Sequence, residues 1–64
     1  MNQIRSLRKA KGMSQRQLAD ALGVNQSTVD RYEKGLIELS LTMALKIIAV
    51  LDCTMSQLTG QDIA

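Results

Sequence analysis

Histidine, proline, phenylalanine and tryptophan are absent from the 64-residue chain, and cysteine and tyrosine each occur once. One cysteine without histidine cannot form an internal disulfide or supply the usual ligands of a zinc site. The scarcity of aromatic residues argues against a β-sandwich and against the stacking surfaces that bind single-stranded nucleic acids. The composition therefore favours a small all-α protein and predicts no metal and no cofactor.

The motifs expected of an enzyme or a membrane protein are missing as well. Without histidine a nucleophile would need an unusual activating partner, and neither a phosphate-binding glycine loop nor a clustered carboxylate pair is present. No apolar run approaches the roughly 20 residues of a membrane span, and "MNQIRSLRKAKG" has no apolar stretch typical of a secretory signal. We therefore expect no catalytic activity, no small-molecule ligand, no membrane association and a cytoplasmic location.

Charge is distributed unevenly along the chain, although the formal net charge is only +2. Residues 1–34 carry seven Lys or Arg and three Asp or Glu, a net of +4, whereas residues 35–64 carry one and three, a net of −2. This asymmetry suggests one surface for a polyanion and another for packing or self-association. Ordinary solvated charge would give the same asymmetry, so charge alone does not decide the function.

Capping residues and glycines divide the sequence into five predicted helices. Each of "SQRQ" and "TMSQ" is a capping box, in which a hydroxyl and a glutamine three residues later satisfy each other's backbone N–H groups. The predicted helices and their flanking caps run from Asn2 to Lys11, Ser14 to Gly23, Asn25 to Gly35, Ser40 to Leu51 and Thr54 to Gly60. Residues 61–64 are expected to fray.

Apolar residues at helical spacing predict which helix faces meet. The expected interior of the second and third helices is Leu18, Leu22, Val24, Val29 and Tyr32, with the small Ala19 at their closest approach. The expected core face of the fourth helix is Leu41, Ala44, Leu45, Ile48 and Leu51. Because the "GVN" break is too short for a long antiparallel return, the second and third helices must cross steeply, as in a helix-turn-helix.

Two apolar features allow more than one interpretation. Met43, Ile47 and Val50 form a second stripe on the fourth helix, which indicates either packing against the fifth helix or a partner surface. Cys53 lies between two apolar segments, so we expect a small buried hydrophobic residue, with a reactive thiol as the alternative.

The stretch "MSQRQLADALGVNQSTVDRYEKG", residues 13–35, resembles the helix-turn-helix domain of the lambdoid phage repressor and Cro family. The most specific parts are "SQRQLADALGV", the "NQSTV" that opens the third helix and the "RYEKG" that closes it. Together with "LSLTMALKIIAVLDCTMSQL", the resemblance covers nearly the whole chain. It implies a compact five-helix repressor-like domain over residues 1–64, a prokaryotic or phage origin, binding to double-stranded DNA, and repression rather than activation.

The polar face of the third helix is expected to read the DNA major groove. Since Val29 and Tyr32 face inward, Gln26, Ser27 and Arg31 face outward. Gln26 is the leading base contact because its carboxamide matches the adjacent acceptor and donor of adenine. Ser27 and Arg31 are weaker candidates, because serine is promiscuous and arginine binds either guanine or phosphate.

Phosphate contacts are expected around this reading face. The candidate residues are Gln15, Arg16, Lys34 and Lys9. The resemblance implies that Gln15 binds a backbone phosphate and braces Gln26, whereas the alternative is that both glutamines are solvated helix starters.

Arg8 and Glu33 are assigned to structure first, whereas Asp30 is ambiguous. The resemblance implies a partly buried ion pair between Arg8 and Glu33, although Arg8 could also touch phosphate. Asp30 could accept from cytosine or repel phosphate, but pairing with Arg31 or Lys34 in solvent is favoured.

The segment "LIEL" after the third helix departs from the family, whose members often carry basic residues and a proline there. Leu36, Ile37 and Leu39 are hard to leave in water in so small a domain. With Met55, they are expected to form a homodimer interface that sets two reading helices one DNA turn, about 34 Å, apart on a pseudo-palindromic site. The alternative is that Leu36 and Leu39 complete the core of the monomer.

The predicted function is therefore a sequence-specific, double-stranded DNA-binding transcriptional regulator, most simply a repressor. A protein-interaction module of the antitoxin or adaptor type on the same scaffold is the alternative. The joint presence of Gln15 and Gln26 favours DNA, because an interaction role would not need both.

Overall fold

The computed structural model describes residues 3–60, which form five α-helices and no strand. The helices are α1 (Ile4–Ala10), α2 (Gln15–Leu22), α3 (Gln26–Lys34), α4 (Leu41–Leu51) and α5 (Met55–Thr59). This confirms the predicted all-α, five-helix fold with a helix-turn-helix at α2 and α3. The predicted start at Asn2 and the predicted fraying of residues 61–64 lie outside the described residues. Within residues 3–60, no helix is long and apolar enough to cross a membrane.

The predicted capping boxes begin α2 and α5. Ser14 Oγ accepts from the Gln17 N–H at 3.0 Å, and Gln17 Oε1 accepts from the Ser14 N–H at 2.8 Å. Thr54 and Gln57 make the same reciprocal pair at 3.1 and 2.9 Å. Asn25 occupies the N-cap position of α3 without a capping hydrogen bond from its side chain. The sequence therefore fixes where these helices begin, even where the cap itself is not used.

The core collects one face from each helix. Its buried apolar residues are Ile4, Leu18, Ala19, Leu22, Val29, Ala44, Ile47, Leu51 and Leu58. Val24 and Tyr32 are partly buried and pack against this core, so the predicted interior of α2 and α3 is confirmed. Burial of this face holds α2 and α3 against each other and fixes the direction of the opposite, polar face of α3.

The predicted core face of α4 is partly wrong. Ala44 and Leu51 are buried as expected, but Leu41 and Leu45 are 70% and 54% exposed. Ile47, which the sequence places in the second stripe, is fully buried. Positions 44, 47 and 51 follow one another at helical spacing, so the core meets α4 on a face that includes part of each predicted stripe.

The remaining members of the second stripe of α4 have an ordinary structural role. Met43 and Val50 are partly buried and pack against the core, as does Cys53 just after the helix. Burial, and to a smaller extent the neighbouring Asp52, raises the pKa of the Cys53 thiol. These contacts favour core packing for the stripe and a hydrophobic role for Cys53, because a protonated thiol is a poor nucleophile.

The turn between α2 and α3 depends on Gly23, which has a left-handed backbone with φ 74° and ψ 29°. An added Cβ would meet no atom within 4 Å, so only backbone strain opposes a side chain there. We expect Gly23→Ala to lower the free energy of unfolding by about 1 kcal/mol. Urea denaturation followed by circular dichroism measures this change.

Asp52 provides the reciprocal control, because it ends α4 in the same left-handed region with φ 53° and ψ 53°. It is the one non-glycine residue with positive φ among residues 3–60. Asp52→Gly should raise the free energy of unfolding by about 0.5 kcal/mol, since relief of strain exceeds the added freedom of the unfolded chain. A gain in stability for Gly23→Ala would contradict the assigned role of the turn.

Candidate nucleic-acid interface

The outer face of α3 is polar and accessible. Val29 is buried and Tyr32 packs against the core, which anchors the inner side of the helix. Gln26, Ser27 and Arg31 are exposed on α3, as the sequence predicts. The helix therefore presents amide, hydroxyl and guanidinium groups that can reach another molecule.

A cleft of about 430 Å³ is bordered by α1, by the start of α2 and by residues along the whole length of α3. Its lining residues are Arg5, Arg8, Ser14, Gln15, Gln26, Asp30, Glu33 and Lys34. Gln15 and Gln26 come from different helices and border this same cleft. Lys34, a predicted phosphate contact, also lines the cleft, whereas the remaining predicted DNA contacts are exposed but do not line it: Ser27, Arg31, Arg16 and Lys9.

The cleft has an ion pair at its base. Arg8 Nε donates to Glu33 Oε2 at 2.7 Å, and Arg8 Nη2 donates to Glu33 Oε1 at 3.2 Å. The third nitrogen, Nη1, donates to the carbonyl oxygen of Met13 at 2.8 Å. The side chains of Arg8 and Glu33 are only 9% and 3% exposed. This bidentate pair, which the resemblance implies, ties α1 to α3 and to the segment that precedes α2.

Gln15 crosses from α2 to α3 above the ion pair. Its Nε2 donates to Asp30 Oδ1 at 3.2 Å and to Glu33 Oε1 at 3.1 Å. An amide nitrogen has two hydrogens, so both side-chain donors of Gln15 are engaged. Among residues 3–60, no hydrogen bond joins Gln15 to Gln26. A phosphate contact through the Gln15 amide would replace one of the two carboxylate partners.

Asp30 and Lys34 form an exposed ion pair on α3, with Lys34 Nζ 2.9 Å from Asp30 Oδ2. This confirms the favoured interpretation of Asp30 as a partner of Lys34. The hydrogen bond from Lys34, and then that from Gln15, lowers the pKa of Asp30 below its usual value. Asp30 is therefore negatively charged at neutral pH, and the pair is lost only as the pH falls through that lowered pKa.

The family model described as helix-turn-helix matches residues 4–58. The chain belongs to the helix-turn-helix family. It is 45% identical over 49 residues, 77% of its length, to a protein of Methanocella arvoryzae named as a candidate HTH-type transcriptional regulatory protein. It is 39% identical over 49 residues to a protein of Pyrococcus furiosus with the same description. The chain spans 15% and 16% of the lengths of these two relatives.

In this helix-turn-helix chain, Arg5 is a candidate contact that the sequence prediction missed. It is exposed, it lines the cleft, and no ion pair joins it to a carboxylate of residues 3–60. Arg5 lies three and four residues before Arg8 and Lys9, so one face of α1 carries all three cations. That spacing was available in the sequence, but it makes Arg5 a candidate contact only once α1 is known to border the cleft.

The segment that follows α3 in the helix-turn-helix has mixed exposure. Leu36 and Ile37 are 69% and 40% exposed, and Met55 at the start of α5 is also exposed. Leu39 is partly buried and packs against the core. Completion of the monomer core, the alternative to a dimer interface, therefore describes Leu39 and does not describe Leu36.

Proposed function

We propose that this helix-turn-helix chain is a sequence-specific regulator of transcription that binds double-stranded DNA and reads the major groove with α3. The observation that carries this proposal is the polar outer face of α3, held out from a core that buries Val29 on its inner side. The major groove of B-DNA is about 12 Å wide and admits an α-helix. Both relatives are named for transcriptional regulation, which supports the same role here.

Gln26 is the proposed principal base reader. It is the first residue of α3, and in helix-turn-helix complexes the N-terminal residues of the recognition helix contact base edges. Its exposed carboxamide can pair with adenine, and Ser27 and Arg31 extend the polar surface beside it. Phosphate contacts fall to the exposed cations Arg5, Lys9 and Arg16 around this face, and to Lys34 only where its ion pair with Asp30 opens.

We further propose a homodimer that binds a pseudo-palindromic site. Leu36 and Ile37 are exposed apolar residues next to the C-terminal end of α3, where a two-fold contact would place two recognition helices side by side. Met55, which is also exposed, is assigned to the same proposed interface. Repression by occlusion of a promoter is the simplest mode of action, because occupancy of the DNA is sufficient for it.

A protein-interaction module is the second candidate. The observation that favours it is the pair Leu41 and Leu45, which lie four residues apart on α4 and are both exposed. A module of this kind would keep its partner contacts on α4 and would not require Gln26. Substitutions at Gln26 therefore separate the two functions.

Selection from random-sequence duplexes at a stated salt concentration tests the main proposal. We expect enrichment of one site, and we expect the chain to bind that duplex at least about 1000-fold more tightly than an unrelated duplex of equal length. Stoichiometry measured on the selected duplex gives the number of chains bound. Equal affinity for selected and unrelated duplexes would contradict sequence-specific regulation and favour the interaction module.

Gln26→Ala is expected to relax the preference at one base pair in each half-site, with a loss of discrimination of about 1–3 kcal/mol. The measurement is a binding profile over all single-base variants of the selected site. Thr42→Ala, at an exposed position of α4 outside the cleft, is the control and should leave the profile unchanged. A profile for Gln26→Ala that matches the unsubstituted chain would show that Gln26 reads no base.

A further inference from the structure

A carboxylate stands in the middle of the surface proposed to meet DNA. Gln26, Asp30 and Lys34 follow one another at four-residue spacing on α3, and all three line the cleft. A negative charge at that position repels the phosphates on either side of a major groove. Asp30 therefore opposes binding unless it has another effect on the complex.

Asp30 accepts hydrogen bonds from two groups that could otherwise contact phosphate, the Lys34 ammonium and one N–H of the Gln15 amide. One oxygen accepts from Lys34 Nζ at 2.9 Å, and the other accepts from Gln15 Nε2 at 3.2 Å. Glu33 takes the second hydrogen of the Gln15 amide at 3.1 Å. In the free protein, both the ammonium of Lys34 and the amide of Gln15 are thus directed at carboxylates.

The same pairing reduces the positive charge of the cleft. Its lining holds three cations and two carboxylates, and Arg8 and Lys34 are each paired with one of those carboxylates. Sequence-independent affinity for DNA depends on the number of phosphates that a protein neutralises, with a salt slope of about 0.9 for each. Gln26 makes no such charge contact, so pairing the cations weakens non-specific binding and leaves the base reader in place.

We propose that Asp30 is a specificity-determining residue that suppresses sequence-independent binding by neutralising Lys34 and holding the Gln15 amide. The inference rests on the proposed DNA-binding function and names the residue that sets the ratio of specific to non-specific affinity. A non-specific complex can shift along the duplex until a free lysine meets a phosphate. The specific complex is held in one register by its base contacts, so it gains less from the same lysine.

Asp30→Asn tests this role, because asparagine can still accept from Gln15 but has no charge to neutralise Lys34. We expect the affinity for an unrelated duplex at 0.1 M salt to rise about eightfold, as for one added phosphate contact, with the salt slope steeper by about one. Affinity for the selected duplex should rise less, so the ratio falls. Fluorescence anisotropy titrations over a series of salt concentrations measure both quantities.

Two further variants test whether the effect of Asp30→Asn comes from the release of Lys34. Asp20→Asn removes the same charge from an exposed position of α2 outside the cleft, and should change both duplex affinities equally and by less. Asp30→Asn combined with Lys34→Gln should return the non-specific affinity and the salt slope to those of the unsubstituted chain. If Asp20→Asn reproduces the full effect, or if the double variant keeps it, the role assigned to Asp30 is wrong.

The remaining outcomes distinguish failure of this inference from failure of the proposed DNA-binding function on which it rests. Loss of preference at a single base pair with unchanged non-specific affinity would show that Asp30 accepts from a base, which overturns its role against phosphate. An unchanged ratio for Asp30→Asn, in a chain that still prefers its selected duplex, would overturn the inference alone. No preference in the unsubstituted chain would overturn the proposed function and the inference together.

Discussion

Glu33→Gln is expected to lower the free energy of unfolding by about 3 kcal/mol, which approaches the whole stability that a core of this size supplies. The substitution preserves shape but removes the charge that faces Arg8, whose side chain is 9% exposed. The guanidinium would then be a buried cation without a carboxylate partner, which is costly in a region of low dielectric constant. Urea denaturation at pH 7 measures the loss, and thermal unfolding gives an independent value.

The exposed ion pair on α3 is the matched control for this prediction. Lys34→Gln breaks the contact with Asp30, where the lysine side chain is 62% exposed, and should change stability very little. Replacing Arg8 by methionine and Glu33 by leucine together should recover part of the loss, because no unpaired charge remains. If Glu33→Gln unfolds at the same urea concentration as the unsubstituted chain, the pair does not stabilise the fold.

Ile37→Asp is expected to convert the proposed dimer into monomers and to weaken binding to a duplex with two half-sites by about 100-fold or more. The aspartate would place an unpaired charge in an apolar contact, and association would no longer offset its desolvation. Binding to a duplex with one half-site should change little. Sedimentation equilibrium at high protein concentration and titration of the two duplexes measure these effects.

Leu45→Asp is the control for the dimer surface, because Leu45 is an exposed apolar residue of α4 outside the proposed interface. It should leave both the assembly and the DNA affinity unchanged. Dissociation by Leu45→Asp together with intact assembly of Ile37→Asp would place the interface on α4. A single chain on the selected duplex would contradict the homodimer itself.

The fold was predictable where its signals are local. A capping box needs only two residues three positions apart, and Ser14 with Gln17 and Thr54 with Gln57 both form as predicted. Gly23 ends α2 because the left-handed conformation is open to glycine at little cost. Such features depend on neighbours within one helical turn, so the sequence contains all the information that they require.

The buried face of α4 was not predictable in the same way. Its sequence, "LTMALKIIAVL", has apolar residues on nearly every side, and periodicity cannot distinguish faces that are all apolar. Burial of Ile47 and exposure of Leu41 and Leu45 are decided by how α4 lies against the other helices. That choice is made by tertiary packing and leaves no local pattern.

The candidate site was likewise predictable only where local spacing or the family resemblance determines a residue's position. The outward direction of Gln26 follows from helical spacing once Val29 is assigned to the core, and the pairing of Arg8 with Glu33 follows from the family resemblance. The contacts of Gln15 with Asp30 and Glu33 span 15 and 18 positions and depend on the approach of α2 to α3. No spacing rule predicts a hydrogen bond over such a separation.

The contacts of the Arg8 guanidinium restrict which substitutions the domain can accept during evolution. Arg8 binds the Glu33 carboxylate and the Met13 carbonyl at the same time. Replacing Arg8 or Glu33 alone therefore leaves a buried polar group without its partner. Substitutions at positions 8 and 33 should therefore occur together in proteins descended from this chain. For the same reason, a chimera that takes α1 from another protein should fold well only if the transplanted helix brings an arginine to position 8.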